Sequence, residues 1–380
     1  MGLDNGYGLG IGSLKPGVCT SSTRPASPYD GQVIYMTDVD QTAVWDGTQW
    51  TVLAPIAGGR NAVINGAFNV WQRGTSFNGS SPYYGADRWF FARPGAVAGS
   101  TLSRQASGLT GFTYCARMQR DSGNTNTSGV RIFQSLETTN SLQFAGKQIT
   151  VSFYVRSGAN YSGGANTYLN VRSGTGTDQQ LGNTGFTGLA TVGQLTITPT
   201  STWTRYSVTG SVSSSATQVG FEINYQPTGT AGANDYIEIT GVQLEAGAVA
   251  TPFEFEDYGT TLAKCQRYYQ KSYSVNVAPA TNGNQPGIVV GGTQSVPNNG
   301  LISNVRFHVS MRTAPAITIY SYTTSQLSRV SDAYTGTDQS TGTVTIAYSG
   351  ENSFMIYNTS GITLTSALGL MFHYTANAEL

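Results

Sequence analysis

The sequence predicts an all-β chain built around an antiparallel sandwich, and three observations predict it. Apolar residues recur with period two in several segments, as strands with one buried face require. Clusters of Gly, Ser, Thr and Asn separate these segments, marking turns. Charged residues make up only 11% of the chain, against the ~25% of an average soluble domain, so uncharged polar side chains and 47 glycines must make the surface.

Taken in chain order, residues 1–28 are rich in Gly, Ser and Pro with few apolar side chains. They read as an extended arm that orders against a partner. Over 29–56, Val33, Tyr35 and Thr37 alternate with Ile34 and Met36. Asp46-Gly47 supplies a tight hairpin turn, and Trp50 and Val52 return. This is a small β-meander, too small to stand alone. A short linker at 57–59 leads into the main sandwich, 57–256. There Ile149, Val151, Phe153 and Val155 share one face, as do Val219, Phe221, Ile223 and Tyr225, while Tyr206, Val208 and Val212 repeat the pattern. From Ile237 and Ile239 to Val242 and Leu244 the apolar phase switches across Gly241, which predicts a β-bulge.

Residues 261–271 carry Leu262, Cys265, Gln266 and Tyr269 at helical spacing, with Thr260 or Thr261 as cap, so 257–275 is expected as a helical linker. Residues 276–380 return to β patterning and are expected as a separate head. Phe307, Val309 and Met311 alternate in one strand, and Ile317 and Ile319 alternate with Tyr320 and Tyr322 in another. Val344 with Ile346 and Phe354 with Ile356 mark two more, and Leu368, Leu370, Phe372 and Tyr374 mark a docked final strand.

Several function classes lose support on composition. Basic and acidic residues balance at zero net charge and no basic block stands out, so the electrostatic footprint of nucleic-acid binding is missing. Near-neutrality favours association. The cysteines Cys19, Cys115 and Cys265 are odd in number and widely spaced, which argues against a disulfide framework and for folding in a reducing cytoplasm. Neither a secretory leader nor an apolar run of membrane-spanning length is recognisable.

Glycan hydrolysis needs two carboxylates placed across a bond. The candidates are Asp87, Asp178, Glu222 and Glu238, each of which also reads as a structural or solvated carboxylate. His308 and His373 stand on separate segments with no nucleophile motif nearby. No catalytic residue and no cofactor are therefore expected. Phe68, Trp71 and Trp89 read as core, and Cys265 as a small core residue. The candidate ligand-binding residues are Tyr320, Tyr322 and Tyr334, whose rings are suited to stack on sugars.

Three passages carry a resemblance: NAVINGAFNVWQRGTSF with YYGADRWFF (61–91), GVQLEAGAVATPFEFEDYGTTLAKCQRYY (241–269), and VRFHVSMRTAP (305–315) with the closing HYTANAEL. In order and spacing they resemble a set of phage tail-fibre and virion appendage proteins. RPASPYDGQVIYMTD with VWDGTQW (24–50) is similar to a module near the N-terminus of phage fibres. The resemblance implies a virion appendage, commonly a trimer, with a carbohydrate-binding-module-like jelly roll in the middle; with no catalytic residue expected, the chain reads as a non-enzymatic homotrimer. It would attach to a tail or baseplate protein through residues 1–56 and contact a host-surface glycan or protein with its distal β domains. A capsid-decorating or head-fibre protein, a tailspike depolymerase and a free carbohydrate-binding protein are the rival readings. Related jelly rolls hold a structural calcium through an acidic residue after Asn-Gly-x-Phe and an Asp pair on the last strand. This chain has Asn69 and Thr240-Gly241 there, which a hard cation does not favour.

Overall fold

The computed structural model describes residues 17–38, 41–53, 59–79, 82–95, 98–283, 286–291, 301–339, 344–358 and 369–380. Two compact units divide at the Arg60/Asn61 boundary.

In the first unit, β1 (Gly17–Cys19), β2 (Val33–Met36), β3 (Gln41–Trp45) and β4 (Trp50–Leu53) form one sheet in that order. β1 lies parallel to β2, so part of the stretch expected as an extended arm is a strand. Cross-strand partners Ile34, Ala43 and Val52 share a face with Met36 and Trp50, and the buried residues are Ile34, Met36 and Ala43. The turn after β3 is not the expected two-residue hairpin. Trp45 pairs with Trp50, so four residues connect the strands. Asp46 Oδ1 accepts from the Thr48 and Gln49 amides at 2.9 Å each. This lets the Asp side chain cap the turn, and the hydrogen bond from the Thr48 hydroxyl at 2.7 Å, with those from the two amides, holds its carboxyl below the usual range.

The second unit contains a jelly roll. Its principal strands are β8 (Ser100–Ala106), β9 (Tyr114–Arg120), β10 (Val130–Ser135), β11 (Gln148–Ser157), β12 (Thr167–Gly174), β13 (Ala190–Ile197), β14 (Thr204–Ser211), β15 (Gln218–Tyr225) and β16 (Tyr236–Ala246). The short β5 (Ser76–Phe77), β6 (Tyr83–Tyr84) and β7 (Phe90–Ala92) extend its edges. One sheet has the order β14-β11-β16-β9-β8-β5 and the other β13-β12-β15-β10-β7-β6. Strands β9 to β12 switch sheet at every step and β13 to β16 do the same, which is the double Greek key of a jelly roll. Between the sheets lie the residues whose alternation predicted them: Ile149, Val151, Phe153 and Val155 against Val219, Phe221, Ile223 and Tyr225. Trp89 stacks on Phe68 at 4.7 Å inside this core, and Trp71 is buried with them. The phase switch in β16 is a register shift opposite β11, with Gly241 at φ 59°. A Cβ there would press on the Phe112 and Tyr154 rings at 2.8 and 2.9 Å.

The rest of the chain belongs to this same unit, where a linker and a separate head were expected. Helix α1 (Thr138–Ser141) is a single turn. Helix α2 spans Tyr258–Gln266, and its cap is Asp257, which accepts from the Gly259 and Thr260 amides, not Thr260 or Thr261. Tyr269–Lys271, expected as helix, is the strand β17. The last strand, β24 (Leu370–Asn377), pairs with β17, β18 (Val289–Gly291), β20 (Ala316–Ser321) and β21 (Ser331–Asp332). A smaller sheet has the order β19 (Leu301–Arg306), β23 (Ser353–Asn358), β22 (Val344–Ala347). The strand expected through Phe307, Val309 and Met311 is absent. Pairing between β19 and β23 stops at Arg306 opposite Ser353, and beyond it the Phe307 and Met311 amides donate to the Asn352 and Glu351 carbonyls and the His308 amide to Gln270 Oε1, which draws these residues out of a ladder. Leu368 lies outside the described residues, while Leu370, Phe372 and Tyr374 form the core of this half with Phe354 and Ile356. No described helix is long and apolar enough to cross a membrane.

Candidate functional site

The three candidate tyrosines occupy two settings. Tyr320 stands opposite His373 in the β20/β24 ladder, and its ring lies 6.1 Å from that of Tyr273. Tyr322 lies 6.5 Å from the His373 ring. His373 itself is buried. Its ring stacks on Tyr273 at 3.8 Å, and its Nδ1 meets Ser272 Oγ at 2.8 Å. Tyr320 and Tyr322 are thus half-buried walls around a packed histidine. Tyr334 is 72% exposed, on a turn capped by Asp332 Oδ1, which accepts the Tyr334 amide at 2.8 Å. Of the three, Tyr334 alone offers an open ring.

The passages that carry the family resemblance converge on one buried joint between the jelly roll and the C-terminal sheet. Gln72 donates its amide and its Nε2 to the two oxygens of Asp87, at 2.6 and 2.7 Å, and the same Nε2 reaches the Tyr269 carbonyl at 2.9 Å. Glu379 takes Arg73 at 3.3 Å and also pairs with Arg88. The guanidinium groups of Arg73 and Arg88 lie over the Tyr269 and Tyr268 rings at 3.6 and 3.5 Å. Lys271 donates to the carbonyls of Gln72, Val275 and Val277. Burial raises the Asp87 carboxyl against the pull of Arg73 and lowers the Lys271 ammonium to about 8. Asn65, Phe68 and Arg88 hold left-handed backbone at φ 60°, 54° and 71°, and Asn65 braces the turn through both backbone groups of Val70. Gly66 is required by contact, since a Cβ there would stand 2.1 Å from the Val242 carbonyl oxygen. These motifs build the joint and leave no open carboxylate pair.

The other candidate acids are also engaged. Glu238 is fully buried and bridges Arg117 and Arg156 at 2.6 Å each. Asp178 accepts the Thr138 amide at 2.8 Å and Arg312 at 3.0 Å. At the positions where related jelly rolls hold calcium, the Thr240 hydroxyl donates to the Tyr114 carbonyl at 2.9 Å, and no carboxylate replaces it. Among the described residues no group of three His, Cys, Asp or Glu gathers to hold a metal. Asn69 Oδ1 at the other position is buried without a partner, but it is a neutral oxygen where a hard cation favours carboxylates.

Glu222 leads to a different kind of site, on the outward face of the β13-β12-β15-β10 sheet. Register aligns two polar rows across it. One runs Thr196, Tyr168, Asn224, Arg131, and the other Gln194, Asn170, Glu222, Phe133. Asn170 Nδ2 donates to Glu222 Oε1 at 2.7 Å, and Arg131 approaches Glu222 at 3.7 Å. Asn170 and Asn224 are each only 6% exposed although they point away from the core. The connection between β12 and β13 folds back along the sheet: Phe186 stands over Gly220, and Gly182 presses on Phe133 and Phe90. Within this patch Asn170 Oδ1, Asn224 Oδ1 and Arg131 Nε are buried without a hydrogen-bond partner. Leaving such a group unpaired costs about 1–3 kcal/mol. Two acceptors and one donor match hydroxyl groups, which both donate and accept.

Sequence reasoning considered Glu222 only as a catalytic acid and did not single out Asn170, Asn224, Arg131 or Tyr168. The available signal was the second face of 218–225, which carries Glu222 and Asn224 where a sandwich strand ordinarily meets solvent.

No family model matches the chain, and no curated protein does. Among solved structures it is similar to the enzymatically active domain of tailspike protein 4 of bacteriophage CBA120, at 14% identity over 49% of this chain and 21% of that one, TM-score 0.31. It is also similar to the CBM22-1 xylan-binding domain of Paenibacillus barcinonensis Xyn10C, at 16% identity over 46% of this chain and 94% of that one, TM-score 0.29. TmCBM61, in complex with β-1,4-galactotriose, aligns at 9% identity over 50% of this chain and 99% of that one, TM-score 0.30. The jelly roll is established by the strand order itself and takes nothing from these likenesses.

Proposed function

We propose that this chain is a non-enzymatic subunit of a phage virion appendage, a tail fibre or receptor-binding protein, whose jelly roll binds host-surface glycan. The observation that carries the binding reading is the trio of unpaired atoms, Asn170 Oδ1, Asn224 Oδ1 and Arg131 Nε, recessed together on one sheet face. The three atoms are closed to solvent as they stand, so sugar hydroxyls would satisfy them by entering as these side chains part, with the half-buried Tyr168 beside them supplying an apolar ring edge. The virion reading rests on the three resembling passages. Their assembly into a single buried joint supports taking them as one inherited architecture. In this reading the chain is a homotrimer, residues 1–56 attach it to the particle, and several weak sugar contacts act together. Lack of catalysis is supported by Asp87, Asp178 and Glu238, each spent on structural partners.

The test is binding of the full chain to an array of bacterial surface oligosaccharides, with Asn170→Ala/Asn224→Ala alongside. The expected result is wild-type binding that falls about tenfold or more in the double variant, as two lost hydrogen bonds at about 0.5–1.5 kcal/mol each require. Unchanged binding in the double variant, or its loss on changing Tyr334 instead, would move the site off this face.

A further inference from the structure

We propose that the bare face of the first unit's sheet is where copies of this chain meet. This goes further than the trimeric reading above, on which it rests, by assigning the contact. One face of the sheet holds Ile34, Met36 and Ala43, the buried residues of this unit. Register places Val33, Val44 and Thr51 in one row of the opposite face, and Tyr35, Thr42 and Leu53 in the next, with Val18 beside Tyr35. Val18 is 70% exposed, Leu53 52% and Val33 38%. Among the described residues this unit buries three hydrophobic side chains, a small core, and below about 70–80 residues a single core ordinarily needs a staple or a partner. Cys19 is the sole cysteine in residues 1–60, so the unit cannot staple itself with a disulfide.

Two features of the face select copies as its cover. Among the described residues its strand positions carry no charged side chain, and the one carboxylate that reaches it, Asp46 at the Thr51 edge, is held by Thr48, Gln49 and Thr51, so like-charge repulsion between identical faces is confined to that edge. The face is also small. Four short strands at about 4.8 Å spacing and 3.3 Å per residue give roughly 20 by 13 Å. That is far below the about 800 Å² per partner of a complex that holds by itself. So small a contact forms only between groups already at high effective concentration. Chains joined elsewhere in one assembly provide that, and a freely diffusing partner does not.

The experiment uses the full chain carrying Cys19→Ser and Val44→Cys, treated with a short bismaleimide; Cys115 and Cys265 are buried. Mass is read by light scattering, and hydrogen exchange is read over 33–53 in the full chain and in Val44→Lys. The expected results are a multimer, cross-linking between chains at position 44, and at least tenfold faster exchange in Val44→Lys with the 61–380 amides unchanged. A multimer without interchain cross-links, or Val44→Lys with unchanged protection, overturns this inference and leaves the trimeric reading standing. A monomer overturns both.

Discussion

Glu379 shows how much one side chain carries in this molecule. Its carboxylate meets Arg73 and Arg88, and Arg88 is 1% exposed, with a carbonyl of Ser135 as its other hydrogen-bond partner. Removing the charge leaves a guanidinium buried without compensation, which costs about 3–5 kcal/mol. Glu379→Gln is therefore expected to lower the stability of the C-terminal sheet by that amount, read as an earlier onset of urea unfolding by intrinsic fluorescence. Lys271 predicts a pH effect. Burial depresses its pKa from 10.5 to about 8, so the unfolded chain holds that proton more tightly than the folded one. The stability tied to this group is full above 10.5 and is lost as pH falls through about 8. Lys271→Met removes the titration but leaves three carbonyls without their donor. The stability gap between wild type and variant should then widen as pH rises from about 8 to 10.5; a constant gap would contradict the assignment.

At the scale of elements, the sandwich strands were legible because their signal is local and one-sided. Ile149 to Val155 and Val219 to Tyr225 alternate over full strand lengths, and even the Gly241 bulge left its mark as a phase change. Where the reading failed, a tertiary partner outweighed the pattern. Tyr269–Lys271 has helical spacing behind it, yet pairing with β24 and the ring contact to Arg73 draw it into a strand. Phe307 to Met311 alternates, but its amides are taken by the Asn352 and Glu351 carbonyls and by the Gln270 side chain instead of a ladder. The polar face of β12 and β15 was unreadable for a related reason. Nothing in the local sequence tells that Asn170 and Asn224 lie recessed on this outward face. Helix α2 offers a check on how local the errors are. Its cap is Asp257, one residue before the helix, and Asp257→Ala should cost about 1 kcal/mol. Thr260→Ala, at an expected cap position, should leave the N-terminal amides as protected as in wild type by hydrogen exchange.

At the scale of the whole molecule, the joint decides whether the second unit behaves as one body or two. Its polar members are not on a wet rim. Asp87 and Arg88 are buried, and Lys271 nearly so. Parting the jelly roll from the C-terminal sheet would expose Tyr268 and Tyr269 and strand these charges without their partners. The sheet on the far side cannot compensate, because its central strand β24 runs straight into Ala378 and Glu379, whose backbone holds Arg312. Separation therefore costs the polar network and the aromatic contacts together, while each half gains little freedom by it. A chain of residues 61–380, which form one compact unit, should unfold in a single calorimetric transition with van't Hoff and calorimetric enthalpies equal. In Glu379→Gln the coupling is cut at its centre, and the C-terminal sheet, with the smaller core, should melt first as a resolved shoulder. Two separated transitions in the wild-type fragment would mean that the segments at 61–89, 241–269 and 373–380 join the halves without making them cooperative.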